Sequence, residues 1–196
     1  MAANDKLPTS EKALLLVDYI NPLDFPGAEA LAKRAWPAAQ ATARLKQRMA
    51  RRGCMCIYAN DNYGIWHSEF RDLLDSCRAL PGMRGKIANL LAPGPADLTV
   101  LKPRHSAFHS TPLDLLLKRM RTKELVIAGL ATDICVHLTA MDAFLHGYDV
   151  WVPPDCSAAE TAAWERQACE HMQRVLKCSV RASTRSAPTA KRSNTS

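Results

Sequence analysis

The segment 124-ELVIAGLATDIC-135, which runs on into 136-VHLTAMDAFLHGY-148, decides the fold of this chain. Its first six residues form a short apolar run ended by Gly129. The run is too brief for a helix and continuous enough for a strand buried on both faces. The residues that follow have helical spacing. Their apolar stripe is drawn through Ile134, Leu138, Met141 and Leu145 and is expected to face the core. At about 100° per residue, Cys135 then falls on the flank of that stripe, not at its centre. A strand that passes straight into a helix is the repeating unit of a parallel sheet, and here a thiol sits at the junction.

The same alternation extends in both directions. Upstream, 13-ALLLVD-18 reads as a buried strand, 28–52 as a helix stopped by Gly53, and 54-CMCIYAN-60 as a second strand. The polar, aromatic stretch 61-DNYGIWHSEF-70 leads into a helix over 68–79. A third strand is 98-LTVLK-102, after which Thr111 and Pro112 supply an N-cap and a first turn for 113-LDLLLKRMR-121. Downstream, 149-DVWVP-153 is a strand, 159–177 a helix, and 178-CSV-180 a short edge strand. There is no internal repeat and no linker. Strand–helix alternation throughout predicts an α/β fold: one three-layer α/β/α domain, its parallel strands joined by right-handed crossovers. Residues 1–10 read as a flexible N-terminus and 11–180 as the domain.

Composition bounds the function. With 196 residues, 47% of them hydrophobic, the chain can bury a sizeable core. No apolar run approaches the roughly 20 residues that cross a bilayer, and the first residues lack a signal-peptide core. Seven scattered cysteines, an odd number without metal-type spacing, fit a reduced, cytoplasmic setting. The net charge of +7 falls to +3 once the four basic residues of the tail 181-RASTRSAPTAKRSNTS-196 are set aside. That tail, polar and Ser/Thr-rich, is expected to be disordered. The basic helix edge 44-RLKQRMARR-52 is read as a solvated face, so neither nucleic acid nor membrane is an expected partner.

In open parallel sheets ligands bind beyond the carboxyl ends of the strands. Three strand ends carry complementary groups: the carboxylate of Asp18, the ammonium of Lys102 and the thiol of Cys135. A helix start and a nearby ammonium both favour a thiolate. An aspartate can take the thiol proton and return it to a leaving group, while free backbone N–H groups at a helix start stabilise an oxyanion. Taken singly, each residue has an ordinary reading: Asp18 as a cap, Lys102 as a surface lysine, Cys135 as a small core residue. Their joint position at strand ends favours nucleophilic cleavage of a carbonyl–nitrogen bond.

The motifs 14-LLLVDYIN-21 with Asp24 and Phe25, 101-LKPRHSAF-108 and 129-GLATDICV-136 resemble those of the isochorismatase-like cysteine hydrolases, in the same order and over residues 11 to 180. The resemblance implies a six-stranded, mostly parallel sheet and a catalytic triad of Asp18, Lys102 and Cys135. It further implies an oxyanion hole from the N–H groups of Ala131 and Cys135, a cis peptide between Leu130 and Ala131, and a dimer or tetramer. Nicotinamidase members of the family carry an Asp-x-His metal motif after the second strand. Here Asp61-Asn62-Tyr63 stands in its place, so neither a metal nor any other cofactor is expected. Ile20 stands where many relatives have Gln.

The expected activity is cysteine-dependent hydrolysis of a small amide, ureido or carbamoyl compound through an acyl-thioester. An isochorismatase-type enol-ether hydrolase and a catalytically idle small-molecule binder are the alternatives. Phe25, Asn60, Trp66, His105 and Thr132 are candidate pocket residues. Trp66 and Phe25 could equally anchor loops, and His105 could equally hold the 104-RHSAF-108 loop by hydrogen bonds. Asp133 reads as a cap for the helix start, and the cysteines other than Cys135 as core.

Overall fold

The computed structural model describes residues 7–65 and 69–184. Six strands form one sheet in which every pairing is parallel. β1 (Lys12–Val17), β2 (Met55–Asp61), β3 (Leu98–Lys102), β4 (Glu124–Leu130) and β5 (Asp149–Trp151) lie in the order β3-β2-β1-β4-β5. The sixth, β6 (Ser157–Ala158), pairs with the second half of β4, beyond the point where β5 stops. β5 and β6 thus share one lane of the sheet.

Period-two alternation divides the core into two layers. Leu14 and Leu16 of β1, Tyr58 of β2 and Val126 and Ala128 of β4 face α1 (Ala28–Ala50). Helix α1 lays down Leu31, Ala35, Ala38 and Leu45, and α3 (Gly82–Leu90) adds Ile87 and Ala88. The intervening residues, among them Leu15, Ile57, Leu125 and Ile127, face the other way, toward α4 (Leu113–Arg119), α5 (His137–Leu145) and α6 (Ala162–Arg174). The remaining helix, α2 (Phe70–Ala79), starts with a capping box between Glu69 and Asp72. Gly53, in the left-handed region at φ 73°, ends α1 as its position implies.

The structure departs from the sequence reading in four places. The stripe of Ile134, Leu138 and Leu145 faces outward, and the inward row of α5 is Val136, Thr139, Ala140 and Ala143. The phase of about 100° per residue holds from Thr132 to Leu145, but the face that packs is the opposite one, made of small and β-branched residues. The small inward residues let α5 lie close on the sheet. Secondly, α3 has no counterpart in the sequence reading, because its two glycines (GMRGKIANL) hide the periodicity. Thirdly, both ends of the described chain extend the domain. Ser10 is buried and accepts from the Met55 N–H, and Ser183 is buried against Asp155 while Arg181 stacks on Trp151. Residues 185–196 and 1–6 lie outside the described residues. The expected edge strand at 178–180 is a single bridge, Trp151 to Ser179.

Register brings the carboxyl ends together. Val17 pairs with Ala59 and Gly129, and Asp61 pairs with Lys102. Consecutive strands run outward from β1 to β3, then the chain crosses back to β4 on the other side of β1. The strand order therefore reverses between β1 and β4, the point where α/β sheets open a crevice. Asp18 follows one of these strands and Cys135 the other. Gly129 makes the close approach possible, since a Cβ there would lie 2.1 Å from the Val17 carbonyl oxygen.

Candidate active site

Asp18 is the residue at which β1 stops. Its φ of 51° lies in the left-handed region that Asp tolerates better than most residues. Its N–H still bonds Ala59, and its carboxylate is buried. One oxygen (Oδ1) accepts the Asp61 N–H at 2.8 Å, and the other (Oδ2) lies 2.8 Å from Lys102 Nζ. The Lys102 side chain is fully buried. Its ammonium also reaches the Arg104 carbonyl (3.2 Å), the Asp61 carboxylate (3.7 Å) and the Cys135 sulfur (3.9 Å). Cys135, half-buried, meets Asp18 through the ammonium they share, so carboxylate, ammonium and thiol form one cluster.

The electrostatics follow from burial. Asp18 has its pKa raised by desolvation against the opposing effects of Lys102, Cys135 and the Asp61 N–H. It holds a proton more readily than an ordinary carboxylate. Burial alone would lower Lys102, but the charges of Asp18, Cys135 and Asp61 outweigh it and keep the ammonium. A thiolate is expected at Cys135 from the helix start and the ammonium. In the folded chain burial dominates and pushes the thiol up, with Asp18 adding to it and Lys102 opposing. Burial therefore favours the thiol form of the sulfur, in the same cluster as a carboxylate whose pKa is raised.

The peptide bond between Leu130 and Ala131 is cis. Ala131 follows β4 and its carbonyl accepts from Ile134 and Val136, which closes the π-type turn that carries Cys135. Asp133 provides no cap here: its Oδ1 is buried without a hydrogen-bond partner.

The candidate pocket residues separate. Phe25 lines a cavity of about 450 Å³ together with Asn21, Asp61, Asn62, Tyr63 and Leu73. Asp61 joins that cavity to the charged cluster. Asn60 is fully buried and donates to the Ile20 carbonyl, so it fixes the β1 loop and does not line the cavity. Thr132 is also fully buried, on the same side as Val136, Ala140 and Ala143. His105 is exposed, with Nδ1 3.7 Å from Cys135 Sγ. Its loop is held instead by Ser106 on Asp142 and by the Ala107 N–H on Thr139. Trp66 lies outside the described residues. The strand-end rule reaches Asp61 but assigns it no role. Its double contact with Asp18 and Lys102 follows only from the β2–β3 register. Among the described residues no group of three or more His, Cys, Asp or Glu side chains is arranged to hold a metal ion, and no helix is long and apolar enough to cross a membrane.

The chain is thus a parallel α/β/α domain that holds a carboxylate, an ammonium and a thiol together at its switch point. Comparison with known proteins gives its family. The isochorismatase domain family model matches residues 12–184, and the chain belongs to the isochorismatase family. It is 35% identical over 168 residues to the isochorismatase family protein YaaI of Bacillus subtilis (strain 168), covering 85% of this chain and 91% of that one. Among solved structures it resembles an isochorismatase family protein from Desulfovibrio vulgaris subsp. vulgaris str. Hildenborough (TM-score 0.72, 26% identity, 90% of this chain and 96% of that one). It also resembles the pyrazinamidase/nicotinamidase of Streptococcus mutans UA159 (TM-score 0.67, 26% identity, 86% and 99%).

Proposed function

We propose that this isochorismatase-family hydrolase cleaves the C–N bond of a small amide, ureido or carbamoyl compound, with Cys135 as nucleophile. The observation that carries the reading is the position of the Cys135 thiol against a fully buried Asp18–Lys102 pair. Asp18 takes the thiol proton as sulfur attacks the carbonyl carbon. Lys102 holds Asp18 in place and balances the negative charge that moves between carboxylate and sulfur. Backbone N–H groups of Ala131 and Cys135 receive the oxyanion. Asp18 then gives its proton to the leaving nitrogen, ammonia or an amine departs, and water hydrolyses the thioester.

The cavity beside Asp61 has room for a small molecule only, and Phe25, Tyr63 and Leu73 give it apolar walls. Similarity to a pyrazinamidase/nicotinamidase supports an amide as the bond cleaved. Ammonia release is the test, with a panel of small amides, ureido and carbamoyl compounds and isochorismate as the contrasting substrate. At least one C–N compound is expected to release ammonia with the native protein and none with Cys135→Ala. Turnover of isochorismate alone, or ammonia release that persists in Cys135→Ala, would overturn the reading.

A further inference from the structure

The sulfur of Cys135 has two sides. Beneath it lie Asp18 and Lys102, whose side chains are 4% and 0% exposed. On the solvent side lies His105, whose Nδ1 is 3.7 Å from Sγ. Among the described residues, that sulfur is the ring's hydrogen-bond partner. The His105 loop is registered to the nucleophile by the helix that follows it: Ser106 Oγ donates to Asp142 (2.5 Å) and the Ala107 N–H to Thr139 (3.0 Å), both on α5. The imidazole is therefore held against the reacting atom, although it is exposed and does nothing for the loop itself.

We propose that His105 is a catalytic residue of the second half-reaction, the base that activates the water which releases the acyl group. The proposal rests on the reading that Cys135 becomes acylated. Once the amine has left, the acyl group occupies the sulfur, and water reaches the thioester carbonyl from the open side. Asp18 has by then given its proton to the amine, and its two oxygens lie against the Asp61 N–H and Lys102. His105 is the proton acceptor on the side from which water arrives, and histidine is the side chain suited to gaining and losing a proton near neutral pH. Water oxygen bonds to the carbonyl carbon while one water proton passes to Nδ1. The tetrahedral intermediate collapses, the C–S bond breaks, and the electron pair goes to sulfur. The proton on Nδ1 then passes to the sulfur it faces. Thioester and water become carboxylic acid and thiol, with no other reactant.

The test separates the two half-reactions with p-nitrophenyl acetate as probe. p-Nitrophenol release and the acetyl adduct on Cys135 are followed by stopped-flow absorbance and intact-protein mass spectrometry. His105→Gln and His105→Ala are expected to keep the rapid first release of p-nitrophenol at the native rate. Steady-state turnover should fall by about 10²-fold or more, the lower end of what a general base contributes, with acetyl-Cys135 accumulating. Hydroxylamine, which attacks thioesters without a base, should restore turnover in both variants. Clearance of the acetyl enzyme at the native rate in either variant would overturn the proposal. So would an equal fall in the first release and the steady-state rate, which a loosened loop would produce. Native protein that releases p-nitrophenol no faster than Cys135→Ala would instead remove the acyl-cysteine reading, and this proposal with it.

Discussion

The two ends of the sheet carry the same kinds of charge and treat them in opposite ways. At the amino end, Lys123 meets Glu11 at 2.9 Å with both side chains about 70% exposed, and Lys12 meets Glu124 at 2.6 Å. The hydrogen bond from Lys123, then its charge, lowers the pKa of Glu11. At the carboxyl end, Lys102 meets Asp18 at 2.8 Å, out of water, and burial raises the pKa of Asp18. Exposed pairs of the first kind add little to stability. A buried pair of the second kind is expensive to desolvate and is often no more stable than apolar residues of the same volume. The fold tolerates that cost at one place, beside the only cysteine of the chain that meets both a buried carboxylate and a buried ammonium among the described residues.

This contrast can be broken from either end. The largest effect is expected for Asp18→Asn, which removes the proton acceptor: turnover should fall on the order of 10²- to 10⁴-fold in steady-state kinetics. The pH profile of the native protein should show an acid limb from the same group. Turnover falls as Asp18 is protonated, and because burial has raised its pKa the limb should lie above the usual carboxylate range near about 4. For stability the sign is reversed between the two ends. The raised pKa of Asp18 contributes stability that is complete below the unfolded value and is lost as pH rises through the folded one. The lowered pKa of Glu11 contributes stability above the unfolded value that is lost as pH falls through the folded one.

Next in size is Lys102→Met, which strands the Asp18 carboxylate. It should cost about 3–5 kcal/mol in urea unfolding, the usual result of breaking a buried pair. Gly129→Ala should cost about 1–3 kcal/mol by the same measurement, because its Cβ has no room against the Val17 carbonyl. Lys123→Ala, at the other end of the sheet, should lower the unfolding midpoint only slightly, as expected of an exposed pair.

Much of this arrangement is legible in the sequence because buried parallel strands are written as short continuous apolar runs. ALLLV, CMCIYAN, LTVLK and ELVIAG each fall on a strand of the sheet. Strand ends then name Asp18, Lys102 and Cys135 before any contact is known. What the sequence does not carry is information that depends on pairing or on which face of a helix packs. Asp61 joins the cluster through register with Lys102, and His105 reaches the sulfur across 30 positions of chain. Of the two faces of α5, the one with the larger apolar residues Ile134, Leu138 and Leu145 is exposed and the one with Thr132, Val136, Thr139, Ala140 and Ala143 is buried, a choice that periodicity alone does not make. The protonation of Cys135 is likewise a matter of burial: the helix start is visible in the sequence, but the depth of the sulfur is not.

The central claim is that the buried pair at the carboxyl end serves the thiol more than the fold. The double variant Asp18→Asn/Lys102→Met tests it directly, with urea unfolding and the rate of Cys135 alkylation by iodoacetamide measured on the same samples. The account predicts that stability returns to the native value or above it, while alkylation at neutral pH slows by at least about tenfold, as expected when the thiol loses its proton acceptor. A double variant that is several kcal/mol less stable and whose Cys135 reacts at the native rate would contradict it.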